Sequence, residues 1–305
     1  MTALNAHNIK ARAPQHDAAG DLALPPPEQL ARGDFDIVVR RLADDIAFGS
    51  DNSRLLGSGL EYAGSRPYVP GDSVRLLNWR LSARTAKPYV REYEALKRTS
   101  IYIVLDTSAS MSTTSIARSK HALALWIASA LGLVAQRRMS PVAIVGGGER
   151  SVPVVPSLSR NDLQRALEPL RVAEPRETTR VGERVADIAL RATRASVLVV
   201  LSDLHDPKAI PAIRNASQKH DCLVMHVADP TEIAPLRAGF VRACEAESSR
   251  AFTATNRSAF ARNDDVRSEL LRAGADYLRL VTSEQFIPPL RRFLATRGSL
   301  LRGRG

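Results

Sequence analysis

Residues Ile101 to Leu105 form an uninterrupted apolar run that stops at Asp106. A short, β-branched-rich run without polar alternation is what a strand covered on both faces of a parallel sheet requires, because neither set of alternate side chains meets water. Runs of the same kind recur at 142–145 and 197–201, and mainly apolar ones at 222–227 and 277–281, interrupted by His226 and Arg279. The stretches between them carry apolar residues at helical spacing instead, over 115–137 (Ile116, Leu123, Leu125, Ile127, Leu131, Val134), 161–170, 181–193, 263–272 and 286–294. Strands alternating with helices predict right-handed βαβ crossovers, and hence an α/β fold with a doubly wound, mainly parallel sheet. Two segments depart from that rhythm. Residues 151–155 follow Gly146-Gly147-Gly148-Glu149-Arg150 and predict an antiparallel edge strand against 142–145, and residues 240–254 predict an inserted hairpin.

The chain upstream of the sheet reads differently. Residues 1–29 are polar and alanine-rich, end in Pro25-Pro26-Pro27, and are expected to form a disordered tail. Leu30, Phe35, Ile37, Val38, Leu42 and Ile46 then predict one helix, with Asp34 as its N-cap. Residues 54–97, punctuated by Gly57, Gly59, Gly64, Pro67, Pro70, Gly71 and Pro88, predict small strands joined by turns. The expected organisation is therefore a tail (1–29), a helix plus β-rich segment (30–97), the α/β domain (98–297) and a second tail (298–305). Arg66, Tyr68, Arg75, Trp79, Arg80, Arg84, Tyr89, Arg91 and Tyr93 crowd the β-rich segment. Such a set serves either a hairpin braced on the main domain or a recognition surface, since Trp, Tyr and Arg dominate binding hot spots.

Composition narrows the function classes. The 305 residues carry a net charge of +11 and a pI near 10.2, which favours acidic partners. Lys10, Lys87, Lys97, Lys120, Lys208 and Lys219 are the only lysines, and the arginines are scattered without a basic run. A basic nucleic-acid-binding module is the alternative that the net charge and the Arg and Tyr content of residues 66–93 leave open, but without a basic run a nucleic-acid partner is not the expectation. Cys222 and Cys244 lack metal-ligand spacing. No stretch approaches the roughly 18 apolar residues of a membrane helix, and none resembles a signal peptide. A cytoplasmic protein without a membrane span is the expectation.

Two apolar strands end in an aspartate, Asp106 and Asp203. In near-extended backbone, Asp106, Ser108 and Ser110 point the same way, which brings a carboxylate and two hydroxyls to the carboxyl edge where open α/β sheets bind ligands. Oxygen ligands of this kind suit a hard divalent cation such as Mg2+, with Mn2+ or Ca2+ as alternatives. Capping of the next helix is the other use for the same residues. An aspartate after a buried strand also suits a metal-dependent phosphohydrolase with His205 as base, yet haloacid-dehalogenase-like enzymes place a second acid where Ser108 stands. Gly146-Gly147-Gly148 lacks the lysine of a phosphate-binding loop, so no ATP hydrolysis is expected of this chain.

Asp106-x-Ser108-x-Ser110 resembles the metal-ion-dependent adhesion site of von Willebrand factor A-like domains. That resemblance implies two further ligands: a loop threonine, matched by Thr179, and a strand-end aspartate, matched by Asp203. Thr179 is preferred to Thr178 because it sets Val181 and Val185 on the apolar positions of the following helix. The stretch from Gly57 to Glu94, followed by Asp106-Thr107-Ser108-Ala109-Ser110-Met111, is similar to domain-of-unknown-function family fifty-eight, which joins such a segment to an A-like domain. The resemblance spans about residues 30–294. It implies a non-enzymatic adaptor working with a MoxR-type AAA+ ATPase in maturation of, or metal or cofactor insertion into, a client protein that offers an acidic residue to the metal. A compact member of the methanol dehydrogenase maturation cluster is also similar. Departures are Thr178, where the family often has glycine, and the lack of the N-terminal membrane helices many members carry.

Overall fold

The buried runs become the strands of one sheet. The computed structural model describes residues 24–47, 61–94, 99–149, 155–172, 176–233, 241–244, 251–254 and 258–300. Strands β1 (Glu61–Pro67) and β2 (Tyr89–Glu94) form an antiparallel ribbon of their own. Strands β3 (Ile101–Leu105), β4 (Val142–Gly146), β5 (Val197–Ser202) and β6 (Asp221–Ala228) follow, then the hairpin β7 (Val241–Cys244) and β8 (Ala251–Ala254), and finally β9 (Asp276–Val281). The sheet order is β4-β3-β5-β6-β9, and every neighbouring pair is parallel. Helices interleave with these strands: α1 (Arg32–Ala47), α2 (Trp79–Thr85), α3 (Lys120–Arg137), α4 (Arg160–Val172), α5 (Val181–Arg191), α6 (Ala209–Ala216), α7 (Pro230–Ile233), α8 (Ser258–Arg272) and α9 (Ile287–Leu300). The arrangement is Rossmann-like.

Alternate strand residues feed two separate cores, which is why the strands carry no polar alternation. Ile101, Ile103, Leu105, Val197, Val199 and Leu201 belong to the core shared with α1, α3, α4 and α9. Val104, Leu198 and Val200 belong to the opposite core, with Val181, Val185 and Ile188 of α5 and Ile213 of α6.

Helix α3 is buried from Lys120 through Ala135, on every side. A helix apolar all round needs a cover on its outer face, and α1 supplies it: Phe35 stacks on Trp126 with ring centroids 5.0 Å apart. That is the role of the N-terminal helix, which periodicity alone leaves open. Asp34 is not its N-cap; it lies in the first turn of a helix that begins at Arg32, where a carboxylate still suits the positive helix end.

Other expectations shift. Residues 54–97 contain a helix, α2, between the two strands, with Asn78 accepting a hydrogen bond from the Leu81 backbone as its N-cap. Helix α6 fills a connection for which the apolar pattern predicted nothing. The helix expected from Ser115 begins at Lys120, capped by Ser119. Of the expected strand 151–155, only Val155 lies inside the described residues, and the antiparallel partner seen there is an isolated bridge from Val142 to Ser157. The two expected tails lie outside the described residues, apart from residues 24–29 and 298–300. Among the described residues no helix is long and apolar enough to cross a membrane.

Candidate metal centre

After β3 the chain moves outward to β4, then returns across β3 to form β5. The strand order therefore reverses between β3 and β5, and a crevice opens at their carboxyl ends. Parallel register sets Leu105 beside Leu201, and the Asp106 backbone N–H donates to the Leu201 carbonyl at 2.9 Å. Asp106 and Asp203 thus leave adjacent strands at one edge, 97 positions apart in sequence numbering.

The carboxylate of Asp106 is fully buried and held on both oxygens. Oδ2 accepts from Ser202 Oγ at 2.6 Å, and Oδ1 accepts from the Ser108 backbone N–H at 3.0 Å. Ser108 begins a single helical turn over Ala109–Ser112, which curls Ser110 back so that the two hydroxyls share a hydrogen bond at 3.0 Å. The loop before α5 completes the cluster. Ser108 forms a parallel bridge with Glu177, the Ala109 N–H donates to the Glu177 carbonyl at 3.0 Å, and the Arg180 N–H donates to the Gly147 carbonyl at 2.7 Å. That backbone path brings the Thr179 hydroxyl 3.5 Å from Asp106 Oδ2 and leaves Thr178 exposed, while Val181 and Val185 are buried. Gly147 is needed for it, since a Cβ there would lie 2.8 Å from Val181 Cγ2 and 3.1 Å from Asp106 Cα.

Four of the sequence-derived candidates, Asp106, Ser108, Ser110 and Thr179, therefore meet. Asp106 and Ser108 form the floor, while the half-buried Ser110 and Thr179 form a rim open to the outside. The donor set is all oxygen.

Asp203 is engaged elsewhere. Its Oδ2 accepts from Lys120 Nζ at 2.8 Å and lies 3.1 Å from His205 Nδ1. The same ammonium donates to Glu232 Oε1 at 2.5 Å. Lys120 and Asp203 side chains are each 1% exposed, Glu232 30% and His205 50%. Asp203, His205 and Glu232 offer ligand atoms all within 4.8 Å of one another and could hold a metal ion of unspecified identity. The Lys120 ammonium already stands against two of the three.

These partners shift the two aspartates in opposite directions. Burial, and secondarily the negative charge of Asp203, push the Asp106 carboxyl up to about 6, against the hydrogen bonds from Ser202 and Ser108. Burial would also raise Asp203, but the His205 hydrogen bond and the Lys120 ammonium reverse that and hold it below the usual carboxylate range. Lys120 follows the same logic: burial disfavours its charge, and Asp203 and Glu232 outweigh burial, so its pKa is raised.

Lys120, Ser202 and Glu232 were not singled out from sequence. Ser202 sat between two noted residues. Lys120 carried one legible signal, as a cation in the first turn of an otherwise apolar helix, where the helix dipole disfavours positive charge. Glu232 carried none. Nearby, Asp229 accepts from the Ser115 N–H at 2.8 Å and Oγ at 2.6 Å, tying the loop before α3 to the end of β6.

A family profile described as "Protein of unknown function DUF58" matches residues 64–274. Similar proteins include the uncharacterized proteins Mb1516 of Mycobacterium bovis and Rv1480 of Mycobacterium tuberculosis, each 28% identical over 302 residues and covering 89% of this chain and 94% of the relative. The crystal structure of the Deinococcus radiodurans RO (RSR) protein is similar with a TM-score of 0.36 and 14% identity, over 89% of this chain and 49% of that one.

Proposed function

The chain belongs to the DUF58 family of proteins of unknown function, and from that premise we propose that it is a non-enzymatic, metal-dependent adaptor built on a von Willebrand factor A-like domain. In this reading it works with a MoxR-type AAA+ ATPase in maturing a client protein or loading it with metal or cofactor. The observation that carries it is the convergence of Asp106, Ser108, Ser110 and Thr179, with a buried carboxylate below and hydroxyls at an open rim. Those four residues would hold Mg2+ or a similar hard cation, and Asp203, the fifth ligand that the resemblance implies, would join them only when freed from Lys120. When bound, the cation supplies a Lewis-acidic position for a carboxylate from another protein. This chain's own part is to fix the donors: Ser202 and the Ser108 amide orient Asp106, and the Glu177 backbone sets the loop that carries Thr179.

A phosphohydrolase would need a base at the same cluster. His205 is directed to Asp203 instead, so the adaptor reading is the better supported. The test is recovery of the ATPase with tagged protein from the native host, comparing wild type with Asp106→Ala and with chelator present. Loss of the ATPase in both arms is the expected result. Equal recovery throughout would refute metal-dependent docking.

A further inference from the structure

The position of Lys120 is costly by two independent criteria. It is the first residue of α3, where the helix dipole is positive, and its side chain is 1% exposed. The charge that calls for a cation there is the buried carboxylate of Asp203, with Glu232 beside it, and the Ser119 cap does not depend on the Lys120 side chain. The ammonium is held by Asp203 at 2.8 Å and Glu232 at 2.5 Å, with His205 on the same carboxylate oxygen of Asp203. It stands where three converging ligand atoms would otherwise receive an ion.

We infer that Lys120 is a tethered cation that commits Asp203 to itself and thereby keeps the divalent-cation affinity of the Asp106 site low. This rests on the metal reading given above. Charge counting gives the consequence. With Asp203 neutralised by Lys120, the carboxylate left to balance a divalent ion is Asp106, since Ser108, Ser110 and Thr179 are neutral donors. Calcium and magnesium sites gain affinity with the number of charged ligands, so a one-carboxylate shell binds weakly alone and gains most from an external carboxylate. Metal and acidic partner then bind cooperatively, because each supplies the charge that the other lacks. Glu232 moderates the clamp: by sharing the ammonium it loosens the hold of Lys120 on Asp203.

The test is Mg2+ binding to the full chain by isothermal titration calorimetry. Lys120→Met is expected to tighten Mg2+ binding about tenfold or more, the scale on which changes to residues that hold a ligand shift metal affinity. Glu232→Gln is expected to weaken it, because the ammonium is then left wholly to Asp203. In an Asp203→Asn background the effect of Lys120→Met should disappear, whereas a general field effect of the lost positive charge would persist; in an Asp106→Ala background it should disappear too, whereas an ion taken up by Asp203, His205 and Glu232 themselves would persist there. The inference is overturned if Lys120→Met binds no more tightly than wild type, or if its gain survives in Asp203→Asn or in Asp106→Ala. Should Lys120→Met fail to fold, Glu232→Gln decides, and unchanged or tighter binding overturns the inference. Wild type that binds no Mg2+, or binds it equally with Asp106→Ala, would instead bring down the metal reading and this inference with it.

Discussion

At the scale of single residues, the cluster holds two buried carboxylates in opposite electrostatic situations. Asp106 has a folded-state pKa near 6, above its unfolded value of about 3.9. Its ionisation therefore opposes folding: the penalty is fully present above about pH 6 and is relieved as pH falls through the window down to about 4. Asp106→Asn should accordingly be better tolerated in chelator at pH 8 than at pH 4, set against the loss of one of the two hydrogen bonds that the carboxylate accepts. The same variant should lose any stabilisation by Mg2+. Thermal melts across pH, with and without the ion, check both statements. Asp203 has the opposite sign, since its lowered pKa means that its charged form supports folding. Asp203→Ala leaves the buried Lys120 with Glu232 as its remaining partner in that cluster, and breaking a buried pair in this way costs about 3–5 kcal/mol. Chemical denaturation at pH 7 should read a loss of that order.

At the scale of elements, the close approach of α5 to the loop before α6 determines where Thr179 sits. The Gly182 N–H donates to Asp206 Oδ2 at 2.8 Å, and a Cβ on Gly182 would lie 2.5 Å from the Lys208 carbonyl carbon and 2.6 Å from its oxygen. Those are backbone atoms and cannot rotate aside. Gly182→Ala would ordinarily gain about 1 kcal/mol of helix propensity; here it should instead destabilise by about 1–3 kcal/mol, the usual range for overpacking. Because Thr179 lies three residues before Gly182, the same change should weaken Mg2+ binding, which calorimetry would detect. On the other face, α1 and α3 stand or fall together. Trp126 is fully buried against Phe35, so Trp126→Ala should cost about 3–5 kcal/mol in a urea melt.

At the scale of the whole molecule, the connection from β1 to α2 carries exposed Val69, Val74 and Leu76 with Arg75, and α2 carries exposed Trp79, 67% exposed, with Arg80 and Arg84. If this surface meets the ATPase, Trp79→Ala combined with Arg80→Glu should reduce its recovery while shifting stability by no more than about 0.5 kcal/mol, as surface changes do. Unchanged recovery would leave the ribbon as a brace. The sheet itself was legible in the sequence because each central strand is covered on both faces, and such burial writes a continuous apolar run. The Asp106-Ser108-Ser110 spacing drew notice for a reason the structure corrects: the backbone is not extended through Ser110, and a single helical turn over Ala109–Ser112 rather than alternation brings the two hydroxyls together. Helices α2 and α6 were not legible, the first because none of its residues is buried and the second because its short apolar stripe is interrupted by Pro211. Only the tertiary structure decided that β5 lies beside β3, that Ser202 orients Asp106, and that Lys120 reaches Asp203 from 83 residues away. Strand order and long-range ion pairs depend on how distant elements dock, and no local pattern of polar and apolar residues encodes that.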